Sequence, residues 1–179
     1  MRQTPELLAR AKRIRLAVFD VDGVLTDGSL YLGENGNEYK AFNVRDGLGM
    51  VMLRKTGCHL AVITARSSSI VAERMQSLGI NHIYQGQDDK KVAMLELVKH
   101  LDLQREQTLY LGDDLVDLPA MQQSGFPVAV ADAHPLVKQA SLAITDAPGG
   151  HGAAREVCEF LMHAQDTFAA QVKRILGEE

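Results

Sequence analysis

Cysteine occurs only at Cys58 and Cys158 in 179 residues. That is too sparse for a disulfide framework, so a reducing cytoplasm is expected, with both thiols buried as small hydrophobes. An excess of basic charge is missing as well. Lys and Arg total 19 against 23 Asp and Glu, a net charge of −4, which leaves no broad cationic face for DNA, RNA or an anionic bilayer. An anionic ligand would have to be held by a few well-placed cations. No apolar run approaches the ~20 residues that span a bilayer. The opening MRQTPELLARAKRIR also lacks the apolar stretch of a secretory signal. Internal repeats, low-complexity tracts and a convincing linker are absent. His59, His82, His100, His134, His151 and His163 show no His-x-x-x-His spacing and read mostly as surface or packing residues. What remains is a chain 46% hydrophobic, rich enough to fill a core and of a length that suits one domain with a small appendage.

The pattern along the chain alternates strand and helix. Thr4-Pro5-Glu6 reads as an N-cap, a first-turn proline and an early acid, opening a helix to about Arg13. Leu16-Ala17-Val18-Phe19 is a compact apolar run ending in Asp20-Val21-Asp22-Gly23, as expected of a buried parallel strand followed by a turn. Leu30-Tyr31-Leu32 and Tyr39-Lys40-Ala41-Phe42 flank Gly33-Glu34-Asn35-Gly36-Asn37, which predicts a β-hairpin over about 29–43. Helices are then expected over Leu48–Lys55, Ser68–Leu78, Lys90–Leu101, Leu118–Gln123, after Pro135, and from Ala153 to Ile175. Strands are expected at Leu60–Ile63, His82–Tyr84, Leu109–Leu111 and Val128–Val130. This order predicts an α/β domain: a parallel sheet with helices on both faces. Pro148-Gly149-Gly150-His151-Gly152 reads either as a mobile flap, ending near Arg155, or as a plain loop before a helix.

Ligands of open parallel sheets bind beyond the carboxyl ends of the strands. The residues found there are Asp20 and Asp22, then Thr64, then Gly112-Asp113-Asp114 with Asp117, while Lys90-Lys91 opens an intervening helix. Crowded carboxylates resist ionising unless a cation joins them, and a hard ion such as Mg²⁺ suits an all-oxygen set. Strand alternation puts Asp20 and Asp22 on one side, with the turn at Gly23 able to re-aim the second. Two carboxylates, a metal and a lysine suit phosphoryl transfer: one Asp attacks phosphorus and the other protonates the leaving oxygen. Alternatives stand beside these roles. Asp before Gly also makes turns, Thr64 also caps loops, Lys91 is a solvated helix residue, and Asp117 either orients the metal shell or caps a helix.

Asp20-Val21-Asp22-Gly23-Val24, Ile63-Thr64, Lys90 and Gly112-Asp113-Asp114-Leu115-Val116-Asp117 resemble the four motifs of the haloacid dehalogenase-like superfamily of phosphatases. The similarity extends to Phe42-Asn43-Val44-Arg45-Asp46-Gly47, Tyr84-Gln85-Gly86-Gln87, Ala131-Asp132-Ala133-His134-Pro135 and Gly149-Gly150-His151-Gly152-Ala153-Ala154-Arg155-Glu156. These resemble the superfamily's capless sugar-acid phosphatases of lipopolysaccharide synthesis. The match runs from about Arg15 to Phe160.

The resemblance implies a Rossmann-like sheet, a protruding hairpin and no cap domain. It makes Asp20 the nucleophile that becomes an aspartyl phosphate, and Asp22 the general acid and then the base. Mg²⁺ would be held by the Asp20 and Asp113 carboxylates and the Asp22 backbone carbonyl, with Asp114 and Asp117 behind them. Lys90 and Thr64 would bind the transferred phosphoryl group. The sugar acid would meet Asp22, Asn43, Val44, Arg45, Asp46, Gly47, Arg66, Arg74 and Lys90. Arg74 otherwise reads as a solvated helix face and Arg66 as a loop residue at a helix start.

Two departures stand out from the family pattern. Ala65 replaces a frequent glycine, which alters loop geometry, and Val51 replaces a basic residue of some members, which changes how the substrate carboxylate is held. Only the hairpin and one helix lie between Asp22 and Thr64, and only a helix and a short strand between Thr64 and Lys90. With no insertion able to cover the site, the resemblance implies a homotetramer in which hairpins of neighbouring subunits supply the lid. The implied substrate is an eight-carbon sugar-acid phosphate, and the alternative is a nine-carbon, sialic-acid-type one. A receiver-like module that holds one phosphate, and a catalytically silent scaffold, are the non-enzyme alternatives; multiple turnover separates both from a phosphatase.

Overall fold

The computed structural model describes residues 1–178. Its main sheet has six strands, all parallel. They are β1 (Leu16–Phe19), β4 (His59–Ile63), β5 (His82–Tyr84), β6 (Thr108–Gly112), β7 (Phe126–Ala129) and β8 (Ala143–Ile144). Strands β2 (Tyr31–Leu32) and β3 (Glu38–Tyr39) form a separate antiparallel hairpin. The helices are α1 (Pro5–Ala11), α2 (Val44–Lys55), α3 (Ser69–Ser77), α4 (Lys90–His100), α5 (Leu118–Met121), α6 (Pro135–Ala140), α7 (Ala153–Ala164) and α8 (Phe168–Leu176).

Spatial order is β5-β4-β1-β6-β7-β8. The chain steps from β1 through β4 to β5 on one side, then crosses to β6 and continues outward on the other. The direction therefore reverses between β1 and β6, and a crevice opens at their carboxyl ends. Right-handed crossovers put α2 and α3 on one face and α4, α5 and α6 on the other. Helices α1 and α7 join α2, and α4 packs with α5. β1 and β6 are fully buried along their length, which explains the unbroken apolar run of β1 and the hydrogen-bonded hydroxyls of Thr108 and Tyr110 in β6.

Three elements differ from the sequence reading. Helix α2 starts at Val44, not Leu48, because the Asn43 side chain accepts from Arg45 N at 2.8 Å and caps it. Gly47 and Gly49 weaken the helical signal there; both are needed for close packing, since a Cβ would meet the Arg74 guanidinium at 2.4 Å or Arg155 Cδ at 2.7 Å. The last helix is two helices, α7 and α8, broken where Asp166 adopts a left-handed φ of 58°. Thr167 N then donates to Met162 O, and nothing in the apolar spacing marks this break. Strand β8, only two residues long, falls below what periodicity resolves.

The glycine segment is docked against the loop after β1 in this structure. Gly150 N donates to Val24 O at 2.9 Å and Gly149 N to Asp132 Oδ1 at 2.9 Å. A Cβ on Gly149 would lie 1.8 Å from Gly23 O. In this structure the segment is a docked strap that leads into α7.

Candidate active site

Asp20 continues β1 by one residue, its N–H donating to Leu111 O on β6 at 3.0 Å. Asp113 follows β6 directly, and Asp117 ends a one-turn 3₁₀ helix, Leu115–Asp117. These two strand ends flank the reversal point, so Asp20, Asp113 and Asp117 bring carboxylate oxygens within 4.8 Å of one another. Lys90, at the first turn of α4, reaches into the cluster. Its Nζ lies 2.8 Å from Asp20 Oδ1 and 2.8 Å from Asp117 Oδ1. A cation at a helix N-terminus opposes the helix dipole, so the carboxylates, not the helix, hold this buried ammonium.

Asp117 is wholly committed. Its Oδ1 accepts from Lys90 and from the Tyr110 hydroxyl (2.9 Å), and its Oδ2 accepts from the N–H groups of Asp113 (2.9 Å) and Asp114 (3.3 Å). It orients the loop that presents Asp113, and by accepting from Asp114 N it also completes the capping box of the turn Leu115–Asp117, while making no cap bond to α5. Asp113 is the opposite case, because its Oδ1 is buried without a hydrogen-bond partner. Asp20 Oδ1 is likewise without an aligned donor, although the Lys90 ammonium stands beside it. Gly23, at φ 94°, makes room here, since a Cβ would fall 2.1 Å from Asp113 Oδ2.

Burial raises the Asp20 pKa, and the Asp117 charge adds to the rise while Lys90 opposes it. Asp113 is pushed up to about 8, by burial first and then by Asp117 and Asp20. Lys90 is shifted upward, because its two carboxylates outweigh the burial that acts against the charged form. Two carboxylates that resist ionising, each with an orphaned oxygen, fit a divalent cation. An oxygen-only donor set suits Mg²⁺.

The side chain of Asp22 does not join the cluster. The turn at Gly23 re-aims it toward the hairpin, where its Oδ1 accepts from Lys40 Nζ, so strand alternation does not carry as far as Asp22. Thr64, buried at the end of β4, accepts from Arg66 N at 3.3 Å, with no acceptor for its own proton among the described residues. Arg66 is half-exposed and pairs with Glu38 of the hairpin at 3.1 Å. Arg74 lies over Gly47. Val44 and Arg45 are exposed on the first turn of α2.

Asp46 is otherwise employed. It is buried and caps α7, accepting from Gly152 N (3.2 Å) and Arg155 N (2.7 Å), so its carboxylate is not open to a sugar. Asn43 donates to Gly150 O at 3.3 Å. Arg155 is paired with Glu159 one turn along α7. Lys91 and Asp114 lie at the exposed rim. The thiols are inert: burial raises Cys58 to about 12 and raises Cys158 as well.

Lys40, Glu38 and Tyr110 were not singled out from the sequence. Tyr110 had one signal, because a tyrosine in a fully buried strand must find a partner for its hydroxyl. Lys40 had none. A cavity bounded by Leu7, Leu142 and Ile144 lies at the β8 edge, away from this cluster; chemistry rather than volume marks the site.

The haloacid dehalogenase-like hydrolase family matches over residues 61–157. The chain belongs to this family. Within it the chain is similar to particular enzymes. It is 50% identical to the 3-deoxy-D-manno-octulosonate 8-phosphate phosphatase of Yersinia pestis over 161 residues, covering 90% of this chain and 86% of that one. The Escherichia coli K12 enzyme of the same name is 48% identical, covering 89% and 85%. The crystal structure of the Moraxella catarrhalis phosphatase, in complex with a magnesium ion, a phosphate ion and a KDO molecule, superposes with a TM-score of 0.94 at 43% identity. It covers 97% of this chain and 99% of that one.

Proposed function

We propose that this chain is a Mg²⁺-dependent phosphatase that hydrolyses 3-deoxy-D-manno-octulosonate 8-phosphate to the sugar acid and phosphate, in lipopolysaccharide synthesis. One observation carries the reading. Asp20 and Asp113 meet at the β1–β6 reversal point, each with an orphaned carboxylate oxygen, beside a buried lysine. The identity of the relatives and the coverage of both chains support the substrate.

In this reading Asp20 and Asp113 hold the ion together with the Asp22 backbone carbonyl, and the bound ion neutralises phosphoryl oxygens. An Asp20 carboxylate oxygen attacks phosphorus. The P–O electron pair leaves with the sugar oxygen, which takes a proton from Asp22. Asp22 then accepts a proton from the water that cleaves the aspartyl phosphate. The Lys90 ammonium faces the transferred group, and Thr64 donates its free proton to it. Arg66 and Arg74 meet the sugar carboxylate, with Asn43, Val44, Arg45 and Gly47 lining the approach. The whole chain acts as one catalytic domain, and a cytoplasmic setting accords with two buried, unpaired thiols. Among the described residues no helix is long and apolar enough to cross a membrane.

The hairpin supports a homotetramer with sites at subunit boundaries. It exposes Leu30, Tyr31, Leu32 (74%) and Tyr39 (60%), an apolar surface that a two-stranded hairpin does not leave in water without cost. Only the hairpin and α2 separate β1 from β4, so among the described residues no inserted domain stands there to cover the crevice. Sedimentation of a fully active monomer would overturn the assembly.

A kinetic panel of eight-carbon and nine-carbon sugar-acid phosphates, with Mg²⁺ and then with chelator, tests the function. Turnover is expected on the eight-carbon ester and should stop on chelation. Asp20→Asn should lose several orders of magnitude in kcat, since enzymes of phosphate monoesters supply accelerations up to ~10²¹. Preference for the nine-carbon ester would favour the sialic-acid-type substrate. One phosphate per chain would favour the receiver-like module, and none the silent scaffold.

A further inference from the structure

The acidic cluster accounts for Asp20, Asp113, Asp117 and Lys90, but not for the hairpin lysine. Lys40 sits on a two-stranded projection whose other side chains are largely exposed, yet its own side chain is only 1% exposed. A lysine buried to that extent needs compensating charge. It has two partners, Asp22 on the loop after β1 and Glu38 Oε1 at 3.4 Å, two residues earlier on β3. Glu38 in turn holds Arg66, at the start of the loop into α3, at 3.1 Å. The four side chains form an alternating row, Asp22–Lys40–Glu38–Arg66, that ties the hairpin to the main sheet across the mouth of the crevice. The Glu38 pKa is lowered, Lys40 and Arg66 together outweighing its burial.

We infer that Lys40 is a positioning residue for the phosphoryl transfer: from the hairpin it fixes the Asp22 carboxyl where the departing oxygen will be. The inference rests on the reading of Asp22 as the general acid and goes beyond it. Asp22 stands on a loop whose neighbouring glycine has a left-handed φ of 94°, and its side chain is only 20% exposed. Among the described residues, no side chain other than Lys40 is paired with it. As the P–O bond breaks, the proton moves from Asp22 to the leaving oxygen, and negative charge appears on Asp22 facing the ammonium. Glu38 keeps the ammonium in place and keeps Arg66 at the mouth. The row thereby couples the placement of the acid to the seating of the hairpin.

Leaving-group chemistry distinguishes this role from a structural one. A sugar alkoxide is a poor leaving group and needs the acid, whereas p-nitrophenolate does not. kcat/KM covers only the steps through release of the alcohol, so the later attack of water does not obscure the comparison. Lys40→Gln and Lys40→Met should each lower kcat/KM on the sugar-acid phosphate at least about tenfold more than on p-nitrophenyl phosphate, within the 10²–10⁴-fold scope of general acid catalysis. Lys40→Arg should restore most of the difference.

Asp22→Asn is the control and should show the same discrimination, larger. Absence of discrimination in Asp22→Asn would remove Asp22 as the acid. Discrimination in Asp22→Asn with equal losses on both esters in the Lys40 variants would overturn the role of Lys40 alone. If Lys40→Met does not fold, Lys40→Gln, which keeps a polar end beside Asp22, decides the matter by the same ratio.

Discussion

The side chain on which most of this site depends is Asp117, which touches no substrate in the proposed reaction. Its two oxygens accept four hydrogen bonds: from Lys90, Tyr110 and two backbone N–H groups. Removing one member of a buried charged network leaves the others unsatisfied, which costs more than the network contributes net. Asp117→Ala should therefore destabilise the fold by about 3 kcal/mol in chelator and also reduce turnover, because Asp113 loses its N–H anchor. Urea denaturation checks the first effect; a change within about 0.5 kcal/mol, the range of ordinary surface substitutions, would show that the network is slack. Legibility at this scale was uneven. Asp20, Asp113, Thr64 and Lys90 were visible because strand ends can be counted along a chain. The orientation of Asp22 was not, since it depends on a turn whose other wall is a hairpin lysine.

Among the elements, α2 and α7 pack closely, and one buried carboxylate adds a polar tie between them. Asp46 lies inside the first turn of α2, yet it caps α7 by accepting from Gly152 N and Arg155 N. Burial raises its pKa, and those two N–H groups and Arg155 oppose the rise without cancelling it. Asp46→Ala should cost about 1–2 kcal/mol, the value of a lost helix cap with buried donors left over. It should also loosen the strap from Pro148 to Gly152, which native-state hydrogen exchange at Gly150 and Gly152 can read. Unchanged protection there would show that glycine packing alone holds the strap. The family resemblance placed Asp46 in a sugar-contacting segment. The structure gives Asp46 to helix capping, and a contact spanning 106 positions has no local signature.

For the molecule as a whole, the acidic crevice ties stability to pH and to the cation. Asp113 rises from 3.8 to about 8, and Asp20 rises with it. A group whose folded pKa exceeds its unfolded value stabilises the fold below the unfolded value, and that contribution is lost as pH climbs through the folded one. The metal-free chain should thus weaken as pH rises from about 4 to about 8 through this pair. Mg²⁺ binds the ionised carboxylates, so it should raise Tm more at about pH 8.5 than at about pH 5. Thermal melts with Mg²⁺ and with chelator at both pH values check this. An equal rise at both would place the ion away from these carboxylates.

By itself the sequence determined the alternation of strands and helices, the parallel sheet, the buried thiols and the acidic residues at strand ends. Each of these follows from short-range periodicity and from side-chain chemistry that does not depend on distant partners. Only the tertiary structure decided where Asp22 points, that Asp46 caps α7, that the last helix breaks at Asp166, and that Lys40 is buried. Those outcomes depend on contacts between segments far apart along the chain, and local residue preferences carry no record of such contacts.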